Sequence, residues 1–299
     1  MKRTGTATLP LHGGKAPRWL FEKMTLLSGQ IIEALCIEFG PQEVLRRISD
    51  PYWFQCLGSV VGFDWHSSGL TTTLTGAIKV ALKDRSKELG LFVAGGKGKT
   101  SRKTPQEIIN ACEETGLDGT CLVETSRLVA KVDQAALQDG YNLYHHFFVF
   151  TSDGNWAVVQ QGMCEEDSTA RRYHWLSEEV RSFVLEPHSG VSGQRPSEGL
   201  NLVHRESLQA QKVITELASR PPDENMRELQ TILEGQGDLF MPKRHVIFPK
   251  EDIRSEKLRS VFVRTYERQA EDFQTLLGLE KVGGKTLRAL SLIAELVYG

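Results

Sequence analysis

The chain has no long hydrophobic run, no excess of basic residues and no closely spaced cysteine pair. No window approaches the ~18 consecutive apolar residues of a spanning helix, which excludes a membrane-embedded helix. The formal net charge is −2, from 36 Lys and Arg against 38 Asp and Glu, so a uniformly basic nucleic-acid coat is excluded. Any contact with nucleic acid must come from local patches. Five cysteines, Cys36, Cys56, Cys112, Cys121 and Cys164, are odd in number and scattered, with no Cys-x-x-Cys and no signal peptide before them. That usage is expected of a reducing cytoplasm. What is present is an ordinary globular composition, 40% hydrophobic and 25% charged over 299 residues, enough for a large core and two domains.

The first ninety residues read as helices behind an extended arm, TATLPLHGGKAP, whose glycines and prolines resist helix. Pro17, Pro41 and Asp50-Pro51 mark helix boundaries. Residues 71–89 place Leu74, Ile78, Ala81 and Leu82 on one face, and a later helix carries Leu122, Leu128, Val132, Ala135 and Ala136 before Gly140. LYHHFFVF and WAVVQQGM, about Ser152-Asp153-Gly154-Asn155, predict a β-hairpin. A second short strand is expected at SFVLEPH, after the hydrophilic stretch CEEDSTARRYHWLSEEVR, and residues 190–199 read as a linker. Helices return from Val203 to the end, interrupted by MPKRHVIFP, an inter-helix connection. The expected fold class is α+β: a helix-rich catalytic domain over residues 1–200 with a hairpin-centred sheet, then an all-α DNA-binding domain over 201–299.

Residues 91–101, LFVAGGKGKTS, imitate the end of a nucleotide-binding P-loop. The imitation fails where the first glycine should stand, because that position is Val93, and Thr104-Pro105 with Glu107 predicts a capping box that starts the helix beyond the lysine. Lys97, Lys99, Arg102 and Lys103 then form a basic turn suited to a diester backbone. Near the end, LLGLEKVGGKTLRALSLIAELVYG reads as a helix-hairpin-helix: Val282 anchors the hairpin, Gly283 and Gly284 free backbone N–H groups for a phosphate, and Lys285 adds charge. Residues 241–299 hold eleven Lys and Arg against eight Asp and Glu, a second basic surface.

HGGKAPRWLFEKM, FDWHSSGLTTTLTGAIK, AGGKGKTSRKTP, SRLVAKVDQAALQDGYNLYHHFFVF, AVVQQGM, ARRYHWLS and KTLRALSLIAELVYG together give the chain a resemblance, over nearly its whole length, to the domain of unknown function 763 family. The resemblance implies a thermophile protein associated with DNA repair, a nuclease in the processing of DNA ends, and a chain that continues past Tyr298-Gly299.

No catalytic set is carried over from the family, so the site is read from residue chemistry. Diester hydrolysis calls for carboxylates and histidines around manganese or magnesium. The metal candidates are Asp64, His66, Asp133, His145 and His146; the catalytic candidates are His66, Asp133, His145, His146 and His174. The short connection through Gly140 predicts Asp133 or Asp139 in one cleft with one of the two adjacent histidines and Gln160 or Gln161. Arg171 and Arg172 would hold a phosphate, and one of Trp53, Trp65, Trp156 and Trp175 would stack on a base. The expected activity is a metal-dependent, structure-directed nuclease acting on single-stranded DNA, flaps or ends, with a repair helicase or a second copy as partner and no membrane. A non-catalytic repair scaffold is the alternative, and a nucleotide hydrolase a weaker third.

Overall fold

In the computed structural model, which describes residues 5–63, 65–194, 199–234 and 255–298, helices come first. After β1 (Gly5–Thr6) and β2 (Leu9–Pro10) follow α1 (Arg18–Phe39), α2 (Pro41–Ser49), α3 (Pro51–Val60), α4 (Ser68–Leu82) and α5 (Ser86–Leu89). Proline opens α2 and α3 at the first helical turn, where a missing N–H is harmless, and the Asp50 carboxylate caps α3 by accepting from the Tyr52 and Trp53 amides. Next come β3 (Leu91–Lys97), a 3₁₀ turn (Gly98–Lys103), α6 (Thr104–Thr115), α7 (Gly119–Lys131) and a π-helical turn (Val132–Ala136). The strands β4 (Leu137–Gln138), β5 (Asn142–Thr151), β6 (Trp156–Cys164), β7 (Thr169–Leu176), β8 (Gly190–Gly193) and β9 (Leu200–Asn201) follow. Helices α8 (Leu208–Ala218), α9 (Pro222–Glu234), α10 (Ser255–Arg268), α11 (Phe273–Gly278) and α12 (Gly284–Tyr298) close the chain.

The fold is α+β. A seven-stranded sheet runs β1-β8-β7-β6-β5-β3, with β2 on β7, and is antiparallel except where β1 meets β8. Phe147, Val149, Ala157, Val159 and Leu176 on one sheet face join Met24, Ile32, Leu45, Phe54, Leu74 and Ile78 of the first helices in one core. Phe148, Phe150 and Trp156 stack on the other face, where Ser126 of α7 meets His146.

The chain divides into two units. One comprises Met1–Ala130, Gly140–Arg181 and Pro187–Ser197, and holds the large sheet; the other comprises Lys131–Asp139, Ser182–Glu186 and Glu198–Gly299, with the β4-β9 pair and helices α8 to α12. The second unit therefore draws two short pieces, Lys131–Asp139 and Ser182–Glu186, from the stretch expected to belong to the first domain.

Three local expectations are corrected. The short strand is not at SFVLEPH, which forms turns, but at TARRYHWL inside the stretch that looked hydrophilic. Its arginine and histidine hid the strand because Arg172 and His174 are buried, 1% and 0% exposed. The capping box does not form: the 3₁₀ turn runs straight into α6, Thr104 donates to the Ser101 carbonyl, and Glu107 instead accepts from Lys79 and the Gly95 amide. The 190–199 linker is in part β8, paired on both sides. MPKRHVIFP and Asp64 lie outside the described residues.

Candidate nucleic-acid interface

Strand register lines up Lys97, His145, Gln161, Arg172 and Ser192 across five neighbouring strands. A bulge between Leu143 and His145 leaves Tyr144 out of the ladder, and Tyr144 reaches Gln161, on the same side as His145. Facing this row is α4, whose Thr71 and Thr75 sit one turn apart. Arg172 Nε donates to Thr71 Oγ1 at 2.8 Å, and the Thr71 hydroxyl donates to Gln161 Oε1 at 2.5 Å. Gln161 Nε2 donates to the Ser68 carbonyl at 3.0 Å and to the Tyr144 hydroxyl oxygen. A guanidinium only donates and a carbonyl only accepts, so these two ends fix the direction of every bond between them.

His145 is buried on this face, with Nε2 3.0 Å from Thr75 Oγ1 and no partner for Nδ1 among the described residues. Burial, with His146, Lys97 and Arg172 adding repulsion, pushes its pKa down to about 3. A histidine held below its unfolded value contributes stability above pH ~6.5 that is lost as pH falls toward the folded value. Chemical unfolding at pH 5 should therefore show about 2 kcal/mol less stability from His145 than at pH 7.5, and His145→Gln should remove that acid sensitivity.

Tyr144 and Ser68 open onto a cavity of about 800 Å³, lined also by His12, Lys15, Phe63, Trp65, Thr72 and Lys97. The N-terminal arm is pinned beside it by the His12 amide, which donates to Ser68 Oγ at 3.0 Å, while the His12 and Trp65 rings meet edge to face. From the cavity edge at Lys97 the 3₁₀ turn carries Lys99, Arg102 and Lys103, all exposed, and none of the four cations makes an ion pair among the described residues. His66 is exposed, yet burial of its ring and the charge of Arg172 hold it below the usual histidine range.

The other predicted residues are placed differently. His145 and His146 face opposite sides of the sheet, as strand geometry required. His146 uses both ring nitrogens, Nδ1 with Gln160 Oε1 at 2.7 Å and Nε2 with Ser126 Oγ at 2.8 Å. His174 is a core residue: Nδ1 donates to the Ile48 carbonyl and the ring sits edge-on to Phe54, so the proton-shuttle role fails for lack of access. Arg171 and Arg172 are not a pair on one surface; Arg172 is buried and Arg171 lies over Tyr141. Asp133, on the π turn, and Asp139 are buried residues of the second unit. Of the four tryptophans, Trp156 and Trp175 are buried and Trp65 is 57% exposed at the cavity. Among the described residues, which do not include Asp64, no three His, Cys, Asp or Glu gather as a metal site.

In the second unit a short connection joins α11 to α12, and Val282 within it is 2% exposed. Lys131 ties off α11 by donating to the carbonyls of Leu277, Gly278 and Leu279, and Gln138 donates to the Gly284 carbonyl at 2.9 Å. The positive backbone angle falls on Lys281, with φ 69°, and neither Gly283 nor Gly284 has one. Gly283 instead leaves the turn bare, with nothing within 4 Å of an added Cβ, whereas a Cβ at Gly284 would meet the Gln138 amide at 3.5 Å. Lys281→Gly should therefore raise stability by up to about 1 kcal/mol in a urea titration, with Gly283→Ala close to neutral.

Residues 5–299 match the family described as protein of unknown function, DUF763. The chain belongs to that family. No curated protein and no solved structure matches it.

In this DUF763 chain the sequence reading missed Ser68, Thr71, Tyr144 and the His12–Lys15 arm. Two signals were there to find. Thr71 and Thr75 are hydroxyls on an apolar helix face, and Gly13-Gly14-Lys15 repeats the triad Gly95-Gly96-Lys97, whose lysine lines the same cavity.

Proposed function

We propose that the chain binds unpaired DNA through its phosphodiester backbone without reading base sequence. The observation that carries this reading is the set of four exposed cations, Lys97, Lys99, Arg102 and Lys103, unneutralised by any ion pair among the described residues in a chain of net charge −2. Cations concentrated on one short segment and left without carboxylates are suited to neutralising successive phosphates and releasing their counterions. The bare hairpin at Gly283 supplies a second phosphate contact of the same sequence-neutral kind. Fluorescence anisotropy with a single-stranded oligonucleotide over a salt series tests it. Lys99→Ala with Lys103→Ala should weaken binding about tenfold at low salt and lower the salt slope by about 1.4, the share of two phosphates on a single strand. Unchanged affinity and slope would overturn the reading.

A second reading, cleavage of the bound strand, is favoured by His66. Held below the usual histidine range by burial and by the charge of Arg172, its exposed ring is available as a base at neutral pH. Labelled flap and single-stranded DNA incubated with manganese, with magnesium and with chelator should then be cut, and His66→Ala should abolish cutting while leaving affinity intact. Binding without cleavage under every condition selects a non-catalytic role in DNA repair.

A further inference from the structure

The cavity beneath the N-terminal arm is separate from the basic turn except at Lys97, and the backbone reading gives it no task. Its volume of about 800 Å³ lies in the range of small-molecule sites. Phe63, Trp65 and Tyr144 give it flat apolar walls, Lys15, Lys97 and His12 give it cations, and no Asp or Glu is among the described residues that line it. Lys97 lies 5.8 Å from the centre of the Tyr144 ring, so charge and aromatic face are adjacent.

Hydrogen-bond accounting adds a donor. Tyr144 accepts from Gln161, and Ser68 Oγ accepts from the His12 amide. Each hydroxyl accepts there and keeps a proton of its own to give, on a residue that lines the cavity. Ser67, which opens α4 at the same place, makes no side-chain cap, and its Oγ is buried without a partner among the described residues. The first amides of α4, at Ser68 and Gly69 on the cavity wall, have no acceptor within the helix. Cations, a spare hydroxyl proton and helix-end amides call for an acceptor-rich anion; the aromatic walls call for a flat ring joined to it.

We infer that this cavity binds a single nucleotide, its heterocycle against Trp65 and Phe63 and its phosphate between Lys15, Lys97 and the Ser68–Tyr144 pair. The nucleotide comes either from an unpaired strand terminus or from solution; only the first source rests on the backbone reading.

Calorimetry with dAMP tests it on the full chain. Saturable binding is expected, at least tenfold weaker for deoxyadenosine, which lacks the phosphate, and for deoxyribose 5-phosphate, which lacks the ring. Thr72→Trp, which fills the cavity from the α4 side, should weaken dAMP binding at least tenfold, and Tyr144→Phe about fivefold, the worth of one hydrogen bond. An oligonucleotide with abasic terminal residues separates the sources: weaker binding than the intact strand assigns the site to strand ends, and equal binding assigns it to free nucleotide. If Lys99→Ala with Lys103→Ala loses neither oligonucleotide affinity nor dAMP binding, the backbone reading fails and this one stands. No dAMP isotherm, or isotherms unchanged in both cavity variants, overturns this one.

Discussion

Gly95→Ala is expected to leave the protein largely unfolded, or to cost about 4 kcal/mol or more in a urea titration. Gly95 holds φ +90°, and a Cβ built there would stand 2.1 Å from the His146 carbonyl oxygen and 2.8 Å from Thr104 Oγ1. Neither obstacle gives way easily, because the first is backbone of the paired strand β5. Its amide is held by Glu107 and its carbonyl by Lys79, at 2.7 Å each, and Lys79 and Glu107 are themselves an ion pair. A shift that relieves the clash would break that three-way tie between α4, β3 and α6. Gly98 is the control. It also has positive φ, at 58°, but nothing lies within 4 Å of an added Cβ, so Gly98→Ala should cost about 1–2 kcal/mol, the left-handed penalty alone. A phosphate-cradling loop would show the reverse pattern, with both variants folded and both short of ligand. Near-native stability of Gly95→Ala would make that glycine a ligand contact after all.

The contrast between these glycines says why the sequence was partly legible. The hairpin of β5 and β6, the proline-opened helices and the buried Val282 were readable because each depends on neighbours in sequence: alternating side chains, a fixed φ, an apolar anchor between glycines. The capping box was misread because Glu107 had a better partner in Lys79, 28 residues away, and only the fold brings them together. β7 was missed for the same reason. Arg172 and His174 look like surface residues until Thr71 and the Ile48 carbonyl, over one hundred positions upstream, appear beside them. The histidine pair was placed correctly on opposite faces, but adjacency in sequence could not tell that Gln160 and Ser126 would use up His146. Chemistry-bearing residue types marked the right strands; which of them stay available is decided by contacts too distant in sequence to read.

Arg172→Met is expected to raise the melting temperature by about 3–6 °C and to weaken binding of dAMP and of single-stranded DNA about tenfold. Arg172 is 1% exposed, yet it has no carboxylate partner among the described residues. Among the described residues it donates one hydrogen bond, from Nε to Thr71, lies 4.8 Å from the centre of the Phe54 ring, and leaves Nη2 without a partner. Burial pushes its pKa down to about 10, against a smaller opposing effect of Tyr144. Because the folded value lies below the unfolded one, the cost is present in full at all pH values below about 10 and is relieved only as pH rises above that, so it weighs on the fold at neutral pH by about 3 kcal/mol. Methionine has similar length, keeps a favourable contact with Phe54 and removes the charge. It also removes the donor that starts the Arg172–Thr71–Gln161–Tyr144 relay, so the Thr71 hydroxyl is free to turn away from Gln161 and the relay keeps only the Ser68 carbonyl to fix its direction. Arg172 is thus a positioning residue, whose charge destabilises the fold and organises the site. Differential scanning calorimetry and dAMP titration on the same variant separate the two effects, because a purely structural arginine would move both in the same direction. A variant that melts several degrees lower while binding as well as the parent would make Arg172 a packing residue and remove the relay from the site.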